Sequence, residues 1–313
     1  MKSINRKIVS AILTGILLIV SNPIWAKEYS FYVSNPAGSA SGDAIARKIA
    51  EIYNKKNTKS TLVVVNVPGG NHTLAVNRFK QDSLAVIVSS STMHIYNYLD
   101  LPHLSYTDND FNHVAELGEL YSVYYTYTGS PIQTIQDLVT KLPASSLPFI
   151  GSHANNTLIN VRSLAHEKAS ALKPISFKSP SEMLTQVLGK HLMVGLSTPG
   201  GNALLEMVAA GKIKLIGSTA NRLIVLNGIE IPSVSQALNI PQFNGYQWVS
   251  ITPGDSEEHR ALAREIQMIV YSNEFQKFLP TVFNFPSGRK DNHLSKILSL
   301  RQSAKEYQFL FRN

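Results

Sequence analysis

The chain has 313 residues, of which 44% are hydrophobic and 16% charged, with no cysteine and a formal net charge of +8. This length favours two cores over one, and the balance of residues is that of a globular protein, which excludes disordered and fibrous classes. No basic stripe with interleaved aromatics occurs, so nucleic acid is not an expected partner, and the absence of cysteine removes disulfides and thiolate metal sites.

The first 26 residues read as a secretory leader (1–26) rather than as part of the fold. Lys2, Arg6 and Lys7 precede the apolar run Ile8–Val20, and Ala26 offers a small residue for cleavage before Lys27. The apolar run is short against the ~20 residues a membrane span needs. Beyond the leader, 26 basic residues stand against 21 acidic ones, a mild positive balance that suits attraction of anionic ligands.

From there strands alternate with helices, the pattern of a largely parallel sheet covered on both faces. "FYVSN" is a short strand, followed by the small-residue loop "PAGSASG" and a helix with Ile45, Ile49, Ile52 and Tyr53 on one face. "STLVVVNV" is a continuous β-branched strand, as burial on both faces requires, and Pro68–Gly70 turns the chain into "NHTLAVNRFKQ". "SLAVIVSS" (Ser83–Ser90) is a third strand, ending in small polar residues. The aromatic run "YSVYYTYTG" is read as a crossing into a second domain. There the strands "LPFIGS", "LKPISFKS", "HLMVGLS" and "IKLIGST" alternate with helices, one of them opened by a capping box at Ser179–Glu182. "GYQWVSITPGD" (Gly245–Asp255) is read as the return crossing. The expected organisation is α/β with two lobes: residues 27–124 with 250–313 form the first, discontinuous lobe, and 125–249 the second.

Enzyme signatures are missing. There is no G-x-S-x-G elbow and no G-x-x-x-x-G-K-[ST] loop, and the nine histidines are scattered without H-E-x-x-H spacing. No catalytic residue, metal site or cofactor is expected, and each isolated histidine reads as satisfied or solvent-exposed. What recurs is a set of small polar loops at strand carboxyl ends: Pro36–Asp43, Ser89–Thr92, Ser152–Thr157, Lys178–Ser181 and Ser197–Gly201. In open α/β sheets ligands sit at those ends. Helix N-termini offer free N–H groups to anions, and small side chains let the backbone approach. Five such loops in two lobes point to a binding cleft. Asp43 either caps the first helix or meets a ligand amine, hydroxyl or water. Arg47 assists anion attraction or is solvated, Lys178 senses a carboxylate or lies at the surface, and Trp248 and Tyr121–Tyr127 are read as hinge or core packing.

These same segments resemble a known family, the substrate-binding proteins of tripartite tricarboxylate transporters (Bug or TctC-like proteins). "NPAGSASGDAIARKIAE" is similar to the family's Pro-Ala-Gly-Gly loop, Asp and "ARxxA" helix; "VVVNVPGGN" to its strand and "RPGAGG" turn; "LAVIVSSSTMHIY" to "TLLLGTSGTH". "PFIGSHANNTLINV" resembles "YASSGNGSTSHL", and the stretch from "PISFKS" to "KLIGST" resembles the family's "VPYKG" to "ALAVT" block. The likeness runs through essentially the whole chain after the leader.

The resemblance implies a two-lobed type II periplasmic binding protein that captures a small di- or tricarboxylate, or a related organic acid. It implies delivery to the transporter's membrane subunits, without chemistry, by a monomer in the periplasm. Carried over by position, the ligand-binding candidates are Ala37, Gly38, Ser39, Ser41, Asp43, Ser91, Ser152, Asn155, Thr157, Lys178 and Ser197. The chain departs from the family in a longer first loop with serines for glycines. Phe177 and Ser179 stand where the family has Tyr and Gly, and Ser197 stands where it has an acid. One alternative is a ligand-binding sensor that feeds a membrane receptor. A second is an exported hydrolase with Ser91 or Ser197 as nucleophile and His94 or His153 as base, which the missing elbow disfavours.

Overall fold

The computed structural model describes residues 27–199, 202–226, 228–288 and 292–311; the expected leader lies outside the described residues. β1 (Lys27–Val33) and β2 (Ser60–Asn66), joined through α1 (Ser41–Lys56), pair in parallel along their full length. After α2 (Thr73–Phe79), β3 (Val86–Ser90) adds to the other side of β1. A π-helical turn, Thr92–Tyr96, leads through the short α3 (Asn97–Asp100) to β4 (Asn112–Leu120).

The chain then passes through Tyr121 and Ser122 into a second sheet. That sheet is built from β5 (Val123–Tyr127), β6 (Phe149–Ser152), β7 (Lys173–Ser176), β8 (Val194–Ser197) and β9 (Ile213–Ser218), in the order β7-β6-β8-β5-β9. Its helices are α4 (Ile135–Thr140), α5 (Asn155–Lys168), α6 (Pro180–Leu188) and α7 (Asn202–Ala209). A hairpin, β10 (Ile224–Leu226) with β11 (Ile229–Ile231), and α8 (Val234–Leu238) precede the return. β12 (Gly245–Ile251) re-enters the first sheet, and α9 (Glu257–Val270), α10 (Asn273–Phe278), β13 (Asn284–Phe285) and α11 (His293–Ala304) complete the described chain with a 3-10 segment, Lys305–Phe311. The first sheet has the order β13-β4-β12-β3-β1-β2.

Strand direction follows from the route of the chain. β12 is antiparallel to both β3 and β4, so β1 to β4 all run one way. β5 is likewise antiparallel to β8 and β9, so β6 to β9 agree with one another. In each sheet the strand that arrives from the other lobe enters at the carboxyl ends of its neighbours and must run against them. Gly245–Val249, expected in the second lobe, therefore pair in the first sheet.

Both sheets are covered on both faces, which explains the unbroken apolar strands. Along β3, Val86 and Val88 meet Ile45 and Ile49 of α1 and Ile266 of α9, while Ile87 points the other way to Val76, Phe79 and Met93. β5 splits the same way, Tyr124 toward Leu138 and Leu164, Val123 and Tyr125 toward Met183 and Val187. A further apolar cluster spans the lobes: Ile95, Tyr96 and Leu99 from the first pack with Ile159 of α5 and with Leu310 and Phe311 of the tail.

Beneath the end of β3 lies a wholly buried imidazole. The His94 ring stands edge-on to Phe111, His113 and Trp248 at 4.6, 4.7 and 5.7 Å, and its nitrogens make no hydrogen bond. That environment is a core position, not that of a general base. Arg301 of α11 closes the cluster, donating to the His94 carbonyl at 2.7 Å, forking Asp108 and lying 3.6 Å above the Tyr98 ring.

Burial, then His113 and Arg301, drive His94 far below its ordinary range; burial and then His293 lower His113 to about 4. The unfolded chain binds these protons near pH 6.5 while the folded chain refuses them, so stability is complete above that pH and falls as pH drops toward 4. Each unit of depression is worth ~1.4 kcal/mol. His113→Asn should therefore flatten the decline of Tm between pH 7 and 5, and a slope equal to that of the parent protein would contradict this account.

Candidate functional site

The loops at the strand carboxyl ends of the two sheets face each other across a cleft of about 500 Å³, within the range usual for small-molecule sites. The first lobe contributes Ser34–Pro36, after β1, and Pro68–His72, after β2; the second contributes His153, after β6, and Phe177–Ser179, after β7, with Glu182. Of the helices that follow these loops, α6 starts at the cleft, with Ser179 and Glu182 in its lining, and its positive dipole end faces that space.

The first loop is organised by Asp43, whose carboxylate is 2% exposed. One oxygen accepts the Gly38 N–H at 2.8 Å and Arg47 Nε at 2.9 Å; the other accepts Arg47 Nη2 at 3.0 Å and Asn66 Nδ2 at 2.8 Å. Four donors fill a carboxylate's acceptor sites. Burial by itself would raise the Asp43 carboxyl, but these hydrogen bonds outweigh it and hold the group below its ordinary range. The Asn66 amide also donates to the Asn35 carbonyl at 2.8 Å, which fastens the loop to the end of β2. Gly38 sits in the turn with φ of +70° and open space around a notional Cβ, so glycine is needed there for backbone conformation rather than for room.

The other candidates divide by place. Lys178 is exposed and lines the main cleft, and its backbone N–H is held by Glu182 at 3.0 Å. Gly38, Ser39 and Ser197 meet with Tyr125 and Ser181 around a cavity of about 20 Å³ that shares the same two loops. Ala37 is exposed and Ser41 buried in the first turn of α1, and neither lines the two cavities. Ser91 is buried, its hydroxyl accepting the Tyr246 N–H at 3.1 Å. Thr157 accepts from the His153 and Ala154 N–H groups and returns a bond to the Ala154 carbonyl, so it closes the start of α5. Asn155 reaches across to the first lobe, donating to Asn97 Oδ1 at 3.1 Å and Asp100 Oδ2 at 2.9 Å. Ser152 Oγ is buried without a partner.

Two histidines line the cleft: His72, which no motif marked, and His153, which entered the sequence reading only within the loop Ser152–Thr157 and as the base of the disfavoured hydrolase. Each stands at the end of a loop of small and amide residues, "PGGNH" and "GSH", directly ahead of a helix, which is the signal their isolation in sequence conceals. Asn71 and His72 both hold positive φ, 51° and 75°, uncommon for residues with a side chain. Among the described residues no group of histidines and carboxylates is placed to hold a metal ion.

Two α/β lobes joined by crossing strands, with loops converging on a cleft between them, define a solute receptor of the periplasmic binding protein class. The profile of the tripartite tricarboxylate transporter family receptor (TctC) matches residues 45–267, and the chain belongs to this family, whose members are periplasmic receptors and not enzymes. Among solved structures, an R. palustris protein with adipate superposes with a TM-score of 0.77 at 15% identity, covering 92% of this chain and 98% of that one. MatC from Rhodopseudomonas palustris with bound malate gives 0.74 at 14% identity, covering 91% and 99%. The periplasmic binding protein BugD gives 0.76 at 13%, covering 91% and 97%. No curated protein sequence matches the chain.

If Asp43 is the internal post of the first loop, Asp43→Asn should destabilise the protein by about 1–2 kcal/mol. The substitution turns one acceptor into a donor facing Arg47 or the Gly38 N–H. A urea midpoint unchanged from the parent would show that the loop does not depend on the charge.

Proposed function

We propose that the chain is the monomeric solute-binding component of a tripartite tricarboxylate-type transporter. It captures a small di- or tricarboxylate, or a related organic acid, in the periplasm after removal of residues 1–26, and delivers it to the membrane subunits. The carrying observation is the cleft itself, where loops at the strand ends of both lobes converge with the start of α6. A carboxylate placed there accepts backbone N–H groups from both sides and meets the Lys178 ammonium at the rim. The relatives solved with adipate and malate support an organic acid as the ligand.

The binding contacts are proposed in the first loop at Gly38 and Ser39 with the adjoining Ala37 and Ser41. In the second lobe they are proposed at Ser152, Lys178 and Ser197. Asp43, Ser91, Asn155 and Thr157 act one step back, by holding the loops and the lobes in position. Closure around the ligand turns on the two crossings at Tyr121–Ser122 and 239–244, a hinge motion common in two-lobed receptors.

Thermal melting with succinate, malate, adipate and citrate tests this reading. An acid at 100 times its Kd adds about 2.7 kcal/mol, roughly 5 °C in Tm for a chain of this size. Lys178→Gln should weaken binding of the same acid roughly two- to fivefold, as expected for an exposed charge contact. Equal melting temperatures with and without every acid would reject the proposal.

A further inference from the structure

His72 and His153 come from opposite lobes and line the same cleft. His72 is carried on a 3-10 turn, Gly70–His72, and its own φ of 75° together with φ of 51° at Asn71 fixes the turn in a conformation that side-chain-bearing residues rarely adopt. Its Nδ1 has only a long contact, 3.5 Å, to Ser90 Oγ at the end of β3. The Nδ1 of His153 is buried with no hydrogen-bond partner. His153 thus carries a buried nitrogen without the partner such atoms ordinarily have, and His72 has one weak partner.

The surrounding charges do not supply those partners. Behind the first loop Asp43 is taken up by Arg47 and Asn66. From the β7–α6 loop come Lys178 and Glu182, of which the carboxylate is committed to the Lys178 N–H. From α3, Asp100 is engaged by Asn155. Burial lowers His72 to about 4, and burial followed by His72 lowers His153 to about 3. Both imidazoles are therefore neutral at pH 7 in the empty cleft, held so by desolvation, to which His72 adds at His153.

We infer that His72 and His153 are the specificity-determining pair of this cleft: they close on a carboxylate of the ligand from the two lobes, and the bound carboxylate draws a proton from solvent onto the pair. This rests on the carboxylate-receptor reading above and adds to it a linkage between ligand and proton. No covalent bond changes; the proton comes from buffer water and stays on an imidazole nitrogen while the ligand is held. An anion facing the pair favours the charged imidazole, so affinity rises as pH falls, at most about tenfold per pH unit for each proton taken up. A cleft of this kind favours acids that are fully ionised in solution over neutral solutes of the same size.

Calorimetric titration with succinate, malate and adipate between pH 6 and 8, in buffers of unlike ionisation enthalpy, reads the protons taken up per ligand bound. Succinate and adipate keep a protonated fraction near pH 6, so the ligand's own proton release on binding is subtracted, and the remaining uptake reports on the protein. The expected result is uptake that grows toward one proton per ligand as pH falls, with tighter binding at pH 6 than at pH 8. His72→Asn, chosen because asparagine tolerates the left-handed backbone, and His153→Gln should each bind with less uptake. The double variant should show affinity independent of pH. Binding by the parent protein without proton uptake overturns the inference and leaves the receptor function standing, and this needs no variant to fold. Uptake unchanged in the double variant also overturns it. If none of the three acids binds at any pH, the carboxylate reading fails and the inference with it.

Discussion

Leu120, the last residue of β4, and Gly245, the first of β12, sit opposite each other in one sheet, and both chain crossings between the lobes depart from that pair. A Cβ on Gly245 would come within 3.1 Å of Leu120 Cβ and 3.2 Å of its carbonyl, so the absence of a side chain is what lets the two crossings run so close. Because the crossings are neighbours, the lobes share one axis of rotation at that edge. The rest of the architecture follows from it. β5 and β12 enter their sheets from the cleft side and run against the other strands, which leaves the carboxyl ends of β1, β3, β6 and β8 aimed at one gap. Contacts beyond the crossings reinforce the pairing of lobes: the Asn155 bonds to Asn97 and Asp100, and the cluster of Ile159 with Leu99, Leu310 and Phe311.

The cleft so formed is electrically quiet. Its one deeply buried carboxylate, Asp43, is saturated by four donors and repels no incoming anion. What an anion meets is loop backbone, two uncharged imidazoles and, at the rim, the Lys178 ammonium beside the Glu182 carboxylate. Fixed dipoles of this kind bind an anion without burying an unpaired positive charge in the empty protein, an arrangement that would be costly.

Much of this was legible in the chain. The unbroken β-branched strands announced sheets covered on both faces, and the loops of small residues marked the strand ends that converge on the cleft. The aromatic run from Tyr121 begins where the chain leaves the first sheet, whereas Trp248 lies inside β12, beyond the return at 239–244. What was not legible depended on contacts distant in sequence. Asp43 looked like a helix cap or a ligand contact because its bond to Asn66, at the end of another strand, has no local signature. Ser91 and Thr157 read as ligand contacts because a hydroxyl that braces a neighbouring strand or closes a helix has the same local sequence. His72 and His153 are 81 positions apart in the chain; only the apposition of the lobes makes them a pair. The short β10–β11 hairpin and the two-residue β13 carry too few residues for a periodicity to show.

Rotation of the two lobes about the Leu120–Gly245 edge would enclose an organic acid between them. Small-angle X-ray scattering of the protein, alone and saturated with an acid that calorimetry shows to bind, tests it most directly. The account predicts a smaller radius of gyration in the saturated protein and a loss of the scattering features of a separated pair of lobes. Superimposable curves from protein shown to be saturated would contradict it.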